Sequence, residues 1–135
     1  MRPMRRLLFL LMASFFAAGA LAQSAAIKGY DPVAYFEPGR PTKGSPSISY
    51  DFDGSRYLFS SQKNRELFAA NPDRYAPQFN GLCAAGLADG RRVEPDPTAF
   101  VVRDGKLYLF EAQRGVERVK ADPSLLSKAH QNARK

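Results

Sequence analysis

Side chains suited to soft-metal binding and nucleophilic chemistry are scarce in this sequence, which has one cysteine, Cys83, and one histidine, His130, in 135 residues. One cysteine excludes an internal disulfide, so packing alone holds the chain, or Cys83 pairs with a second molecule. A stable zinc or Cu(I) site takes three or four thiolate or imidazole ligands, and the two available stand about 47 residues apart, so no metal and no cofactor is assigned. Asp31, Asp51 and Asp53 give no better motive for a hard metal. A phosphate loop, serine-triad spacing, a paired-His helix and a dinucleotide fingerprint are all missing, so no catalytic residue is assigned and the chain reads as a non-enzyme. Concentrated positive charge is missing too. Arg91-Arg92 is the one internal basic pair, which supports neither a nucleic-acid stripe nor a membrane-binding helix.

Long apolar runs are confined to the start of the chain. Met1 to Arg6 carries three arginines, Leu7 to Phe16 is almost wholly apolar, and Ala20-Leu21-Ala22 is a small-x-small cleavage site, together the pattern of a secretory signal peptide. The run from Leu7 to Ala22 is about 16 residues against the roughly 20 of a spanning helix. The expectation is therefore a signal peptide over 1–22 and a periplasmic domain over 23–135, with no membrane span after cleavage. Removal lowers the net charge from +7 to +4 and leaves about 113 residues, one domain with a small core.

What is present is organised around Tyr50 to Pro72. Asp53-Gly54 separates two aromatic β-type runs, and Asp-Gly suits a type I′ hairpin turn because both central positions need positive φ. Ser61 then caps a helix carrying Leu67 and Phe68, which stops at Asn71-Pro72. A shift of 51 residues lays this unit on a second: Asp53-Gly54 falls on Asp104-Gly105, Tyr57-Leu58-Phe59 on Tyr108-Leu109-Phe110, Gln62 on Gln113, Ala70 on Ala121 and Pro72 on Pro123. The expected fold is α+β, a small single domain of two hairpin-plus-helix units with an extended N-terminal arm and a C-terminal helix.

The arm is assigned to Ala25–Gly44, where Pro32, Pro38 and Pro41 interrupt an apolar, aromatic stretch. Burying Tyr30, Tyr35 and Phe36 at roughly 1.5–3 kcal/mol each would pin it to the domain. Pro72 to Gly90 reads as an irregular middle section with a turn at Asn80-Gly81 and small residues around Cys83, and Val93 to Pro97 as a second linker. The last helix runs to about Asn132 with Leu125, Leu126 and Ala129 on its buried stripe. Leu82, Ala84 and Ala85 favour a buried, inert Cys83, an exposed thiol that pairs with a partner or weakly holds a metal being the alternative. His130 is expected on the surface. Asp31 after Tyr30 reads as a turn-forming or helix-capping residue rather than a general acid.

Gly29-Tyr30-Asp31-Pro32-Val33-Ala34-Tyr35-Phe36, Tyr57-Leu58-Phe59-Ser60-Ser61, Asn64-Arg65-Glu66-Leu67-Phe68 and Asn71-Pro72-Asp73-Arg74-Tyr75 resemble the YHS domain. Asn80-Gly81-Leu82-Cys83-Ala84-Ala85-Gly86 makes the chain similar to exported bacterial YHS domain proteins. The resemblance covers most of the chain after residue 22, and it implies a small α+β fold and an association with metal handling. Metal-handling relatives place a Cys directly after the Asp-Pro-Val and another after the aromatic strand, where this chain has Ala34 and Ser60.

Two functional expectations follow. The first is a non-catalytic periplasmic module in which Tyr30, Asp31, Tyr35 and Cys83 line a pocket for a small ligand or a partner protein, with dimerisation through Cys83 as one route to partnership. The alternative is a metal-handling, copper or other heavy metal, or thiol-redox accessory protein.

Overall fold

A computed structural model describes residues 24–135, so the signal peptide expected over 1–22 and the cleavage expected before Gln23 lie outside the described residues. Strand β1 (Ser45–Phe52) pairs antiparallel with β2 (Ser55–Phe59) across the Asp53-Gly54 turn. Asp53 has φ 51° and Gly54 φ 76°, the doubly left-handed geometry that an Asp-Gly hairpin turn is chosen for. Helix α1 (Gln62–Ala70) begins at Ser61, whose side chain accepts the Asn64 N–H. Pro72 opens the short α2 (Pro72–Tyr75), where its missing N–H is no loss.

The second unit repeats this element for element. Strands β3 (Asp96–Arg103) and β4 (Lys106–Phe110) form the other two-stranded sheet, and α4 (Gln113–Ala121) follows. Each boundary lies 51 residues after its counterpart, and so does the bulge, between Ser45 and Ser49 in β1 and between Asp96 and Phe100 in β3. The linker read over Val93–Pro97 thus ends as strand, its irregularity being the bulge.

The duplication also extends upstream of the hairpins, which corrects two expectations. Residues 25–44 are not an extended arm, and the middle section is not irregular. Each begins with a left-handed turn: Ile27, Lys28 and Gly29 have φ 47°, 54° and 83°, and Phe79, Asn80 and Gly81 have 61°, 54° and 85°. The Tyr30 N–H then donates to Ile27 O at 3.2 Å, and the Leu82 N–H to Phe79 O at 3.1 Å. Left-handed backbone at a β-branched or aromatic residue costs on the order of 1–2 kcal/mol. The turns offset part of that cost by packing on each other, since a Cβ added at Gly81 would stand 2.9 Å from Ile27 Cγ2. Downstream of the first turn, Asp31 Oδ1 accepts the Val33 N–H and starts a wound segment, in which Val33 O and Ala34 O receive the N–H groups of Phe36, Glu37, Gly39 and Arg40. Its counterpart is the short helix α3 (Ala84–Ala88), which Cys83 caps.

The two halves fill their interiors differently. Tyr57, Phe59, Phe68 and Tyr75 make the first half's core aromatic, while Cys83, Ala84, Ala85, Ala99, Val116 and Val119 dominate the second. Tyr35 and Ile27 cross between them, packing on Leu107 and Leu109 of β4, so the chain forms one small domain. Helix α5 (Ser124–Ala133) is the elongated counterpart of α2 and lies on α3, with Leu126 and Ala129 buried as the stripe required. Asn132 Nδ2 ties the two helices by donating to Leu87 O at 2.7 Å. Among the described residues no helix is long and apolar enough to cross a membrane.

Candidate functional site

The motif residue Asp31 is fully buried, and its carboxylate is a structural hub. Oδ1 receives the Val33 N–H at 2.8 Å, while Oδ2 receives the Ser60 N–H at 2.8 Å, Ser60 Oγ–H at 2.7 Å and Asn64 Nδ2–H at 2.8 Å. Ser60 and Asn64 flank the start of α1, so a carboxylate from a distant segment sits at that helix's positive end. Its four contacts are all donors, the arrangement an acceptor-only group requires when removed from water. This is the turn-forming role expected of Asp31, extended by the bonds to Ser60 and Asn64, while Ser61 itself caps α1; fully buried, the carboxylate presents no surface to a ligand.

Tyr35 is equally committed. Its hydroxyl donates to Pro97 O at 2.6 Å and its ring meets Phe100 edge-on at 5.0 Å. Burial first, then the neighbouring Tyr30, Asp96 and Asp31, push the phenol well above its ordinary pKa, so it remains a donor. Half-buried Tyr30 packs against the same cluster. The structure does not bring the four sequence candidates together: Tyr30 and Tyr35 belong to the joint between the halves, Asp31 to the start of α1, and Cys83 to the core of the second half. Ala34 is buried in the core and Ser60 is engaged with Asp31, so the two departures from the metal-handling pattern serve packing and hydrogen bonding.

Cys83 is the one candidate that borders a cavity among those described. Its thiol is only 3 % exposed, and Sγ accepts the Gly86 N–H at 3.3 Å. It thus presents no free thiol surface for the expected dimer; pairing would require the second half to open first. The cavity, about 40 Å³, lies between Cys83 and the start of α4, and Arg91, Glu111, Arg114 and Arg118 border it. Arg118 is held by a bidentate pair to Asp89 at 2.8 and 2.9 Å, which keeps the Asp89 carboxyl below its ordinary pKa. Arg91 and Arg114 make no ion pair among the described residues. Two larger cavities, about 370 Å³ beside Lys28, Asn80 and Glu94 and about 240 Å³ beside Arg92, Asn132 and Lys135, contain none of the candidates.

The duplication explains why this cavity exists. Asp31 N–H donates to Thr42 O at 2.8 Å and Cys83 N–H to Val93 O at 3.0 Å, each directly after its left-handed turn, so Cys83 occupies the place of Asp31. Glu111, Ala112 and Gly115 stand in the places of Ser60, Ser61 and Asn64. Every polar side chain that fills the first half's helix start is therefore replaced. Ala112 caps nothing, although its backbone (φ −157°, ψ 163°) matches that of Ser61 (φ −150°, ψ 156°). Gly115 is tight, since an added Cβ would approach Phe110 Cδ1 at 3.0 Å and Ala85 Cβ at 3.3 Å. Arg114 and Gly115 escaped sequence reasoning, although extending the 51-residue shift to the helix start sets Ser60 on Glu111 and Asn64 on Gly115 and so carries the contrast.

His130 is not the solvated surface residue expected. It is half-buried, its Nε2 lies 3.0 Å from the Tyr108 hydroxyl, and its ring meets Phe79 at 4.8 Å. Desolvation, then Lys106 and Arg134, lower its pKa. Among the described residues no three His, Cys, Asp or Glu side chains are grouped to hold a metal ion. No protein-family model, curated protein or solved structure matches the chain.

Proposed function

We propose that this chain is an exported, non-catalytic module of the YHS type that holds a small ligand in the cavity between Cys83 and the start of α4. One observation carries the reading: the first half fills the equivalent volume with its own side chains, Asp31, Ser60 and Asn64, whereas the second half leaves it open beside Cys83. A helix start left open beside charged side chains, with no side-chain cap of its own, is a place where a ligand can supply the missing partner. The resemblance in the Gly29–Phe36 and Tyr57–Ser61 segments supports the family assignment, and the hydrogen-bonded set of Asp31, Ser60 and Asn64 gives those segments a common structural purpose. The arginines before an apolar run and the Ala20-Leu21-Ala22 site support a periplasmic place of work.

Binding is tested by screening a mixed library of small acids, amides and amines against ¹⁵N-labelled protein. Saturable shifts confined to the amides of residues 83–86 and 111–115 are expected. A library that moves none of them, at concentrations reaching several millimolar, ends this reading.

A further inference from the structure

We infer that the ligand is a small carboxylate whose head group takes, in the second half, the place that the Asp31 carboxylate holds in the first. This rests on the reading of the cavity just given and assigns its chemistry. Helix α1 receives a negative group at its start from Asp31. Helix α4 has no such bound group among the described residues: its first turn contains no acidic residue, its cap Ala112 offers no side-chain acceptor, Glu111 before it makes no hydrogen bond to it, and Arg114 adds positive charge at the end where the helix dipole is already positive. The arrangement is adverse when empty and favourable once an anion binds.

The surroundings agree in sign and size. Arg91, Arg114 and Arg118 face the cavity against Glu111, with Arg118 shared with Asp89, so positive charge prevails there. A cavity of about 40 Å³ holds roughly three water-sized groups at some 10–15 Å³ each, enough for one carboxylate and little more, so the rest of the ligand extends outward. The buried Cys83 side chain borders the cavity, and although Sγ accepts the Gly86 N–H, its own S–H finds no acceptor among the described residues. A carboxylate oxygen there would receive that proton's hydrogen bond as well as those of the first backbone N–H groups of α4, before Gly115, whose own N–H donates to Ala112 O at 3.0 Å.

The test titrates acetate and formate into ¹⁵N-labelled protein at constant ionic strength in chloride, with acetamide as the neutral isostere. Acetate and formate should shift the amides of residues 111–115 saturably, and acetamide should not. Arg114 is exposed, so Arg114→Glu leaves the fold in place and should weaken acetate about tenfold, the loss of roughly one charge-assisted hydrogen bond. Cys83→Asp should supply the carboxylate internally, abolishing the acetate response and raising the melting temperature; if that variant does not fold, Arg114→Glu decides alone. Acetate shifts no larger than those of chloride, or acetate binding unchanged in Arg114→Glu, would overturn the inference. Saturation by acetamide or another neutral compound without acetate leaves the cavity reading standing and removes the carboxylate. Silence from every compound removes both.

Discussion

The two halves share turns, bulges, strand registers and the length of the helix after the hairpin, yet they bury different things. At the first helix start a carboxylate and three donor groups close a polar hub; at the second a thiol, an alanine and a glycine leave a cavity flanked by Glu111 and three arginines. The cores diverge in the same direction, rings clustering around Phe68 in one and small residues around Val119 in the other. A backbone can thus be repeated closely while one copy is devoted to holding the fold and the other acquires room. The hairpins and helices are fixed by turn chemistry and hydrophobic period, which both copies keep, whereas the helix-start residues are free to change once a single copy suffices for stability.

The sharpest way to break this comparison is to remove the equivalent residues. Asp31→Ala leaves four donors without an acceptor and should cost about 3–5 kcal/mol by chemical denaturation, while Cys83→Ala should cost about 1 kcal/mol or less. Equal losses would show that the two sites are structurally alike. Phe68→Ala should likewise cost about 3–5 kcal/mol and its counterpart Val119→Ala about 2, both side chains being fully buried. Smaller effects attach to the caps: Ser61→Ala should lose about 1 kcal/mol, and Ala112→Ser should gain roughly 0.5–1 because its backbone already has the capping geometry. A destabilised Ala112→Ser would mean that the start of α4 is satisfied in some other way.

The smallest expected effect is pH-dependent and confined to the second half. The folded pKa of His130 lies below its ordinary value of 6.5, so the unfolded chain binds the proton first as pH falls. Its contribution to stability is complete above pH 6.5 and is lost as pH drops through the lower folded value. Denaturation midpoints should therefore decline slightly below pH 6.5, less so in His130→Gln. An identical decline in the variant would assign the effect to other groups.

Local chemistry made much of this legible in advance. Asp-Gly pairs specified both hairpins, Ser61 and Pro72 bounded a helix, the spacing of Leu126 and Ala129 marked a buried face, and the 51-residue shift exposed the repeat. Asp31 as a turn-forming residue and Cys83 as a buried thiol were also readable from their neighbours. The upstream part of the duplication was not, because its two copies share a backbone conformation rather than residues: Ile27-Lys28-Gly29 and Phe79-Asn80-Gly81 have only the glycine in common. Nothing in an isoleucine or phenylalanine announces a left-handed φ, whose cost is borne by contacts across the molecule.

The sequence by itself determined the two hairpins, the helices that follow them, the last helix, their order and the scarcity of soft-metal ligands, since these depend on neighbours along the chain and on residue counts. Only the tertiary structure decided that Asp31 meets Ser60 and Asn64, that Tyr35 reaches Pro97, and that Cys83 faces the uncapped start of α4. These contacts join residues tens of positions apart, and hydrogen-bond partnership at such separations is set by how the two halves pack, which no local propensity encodes.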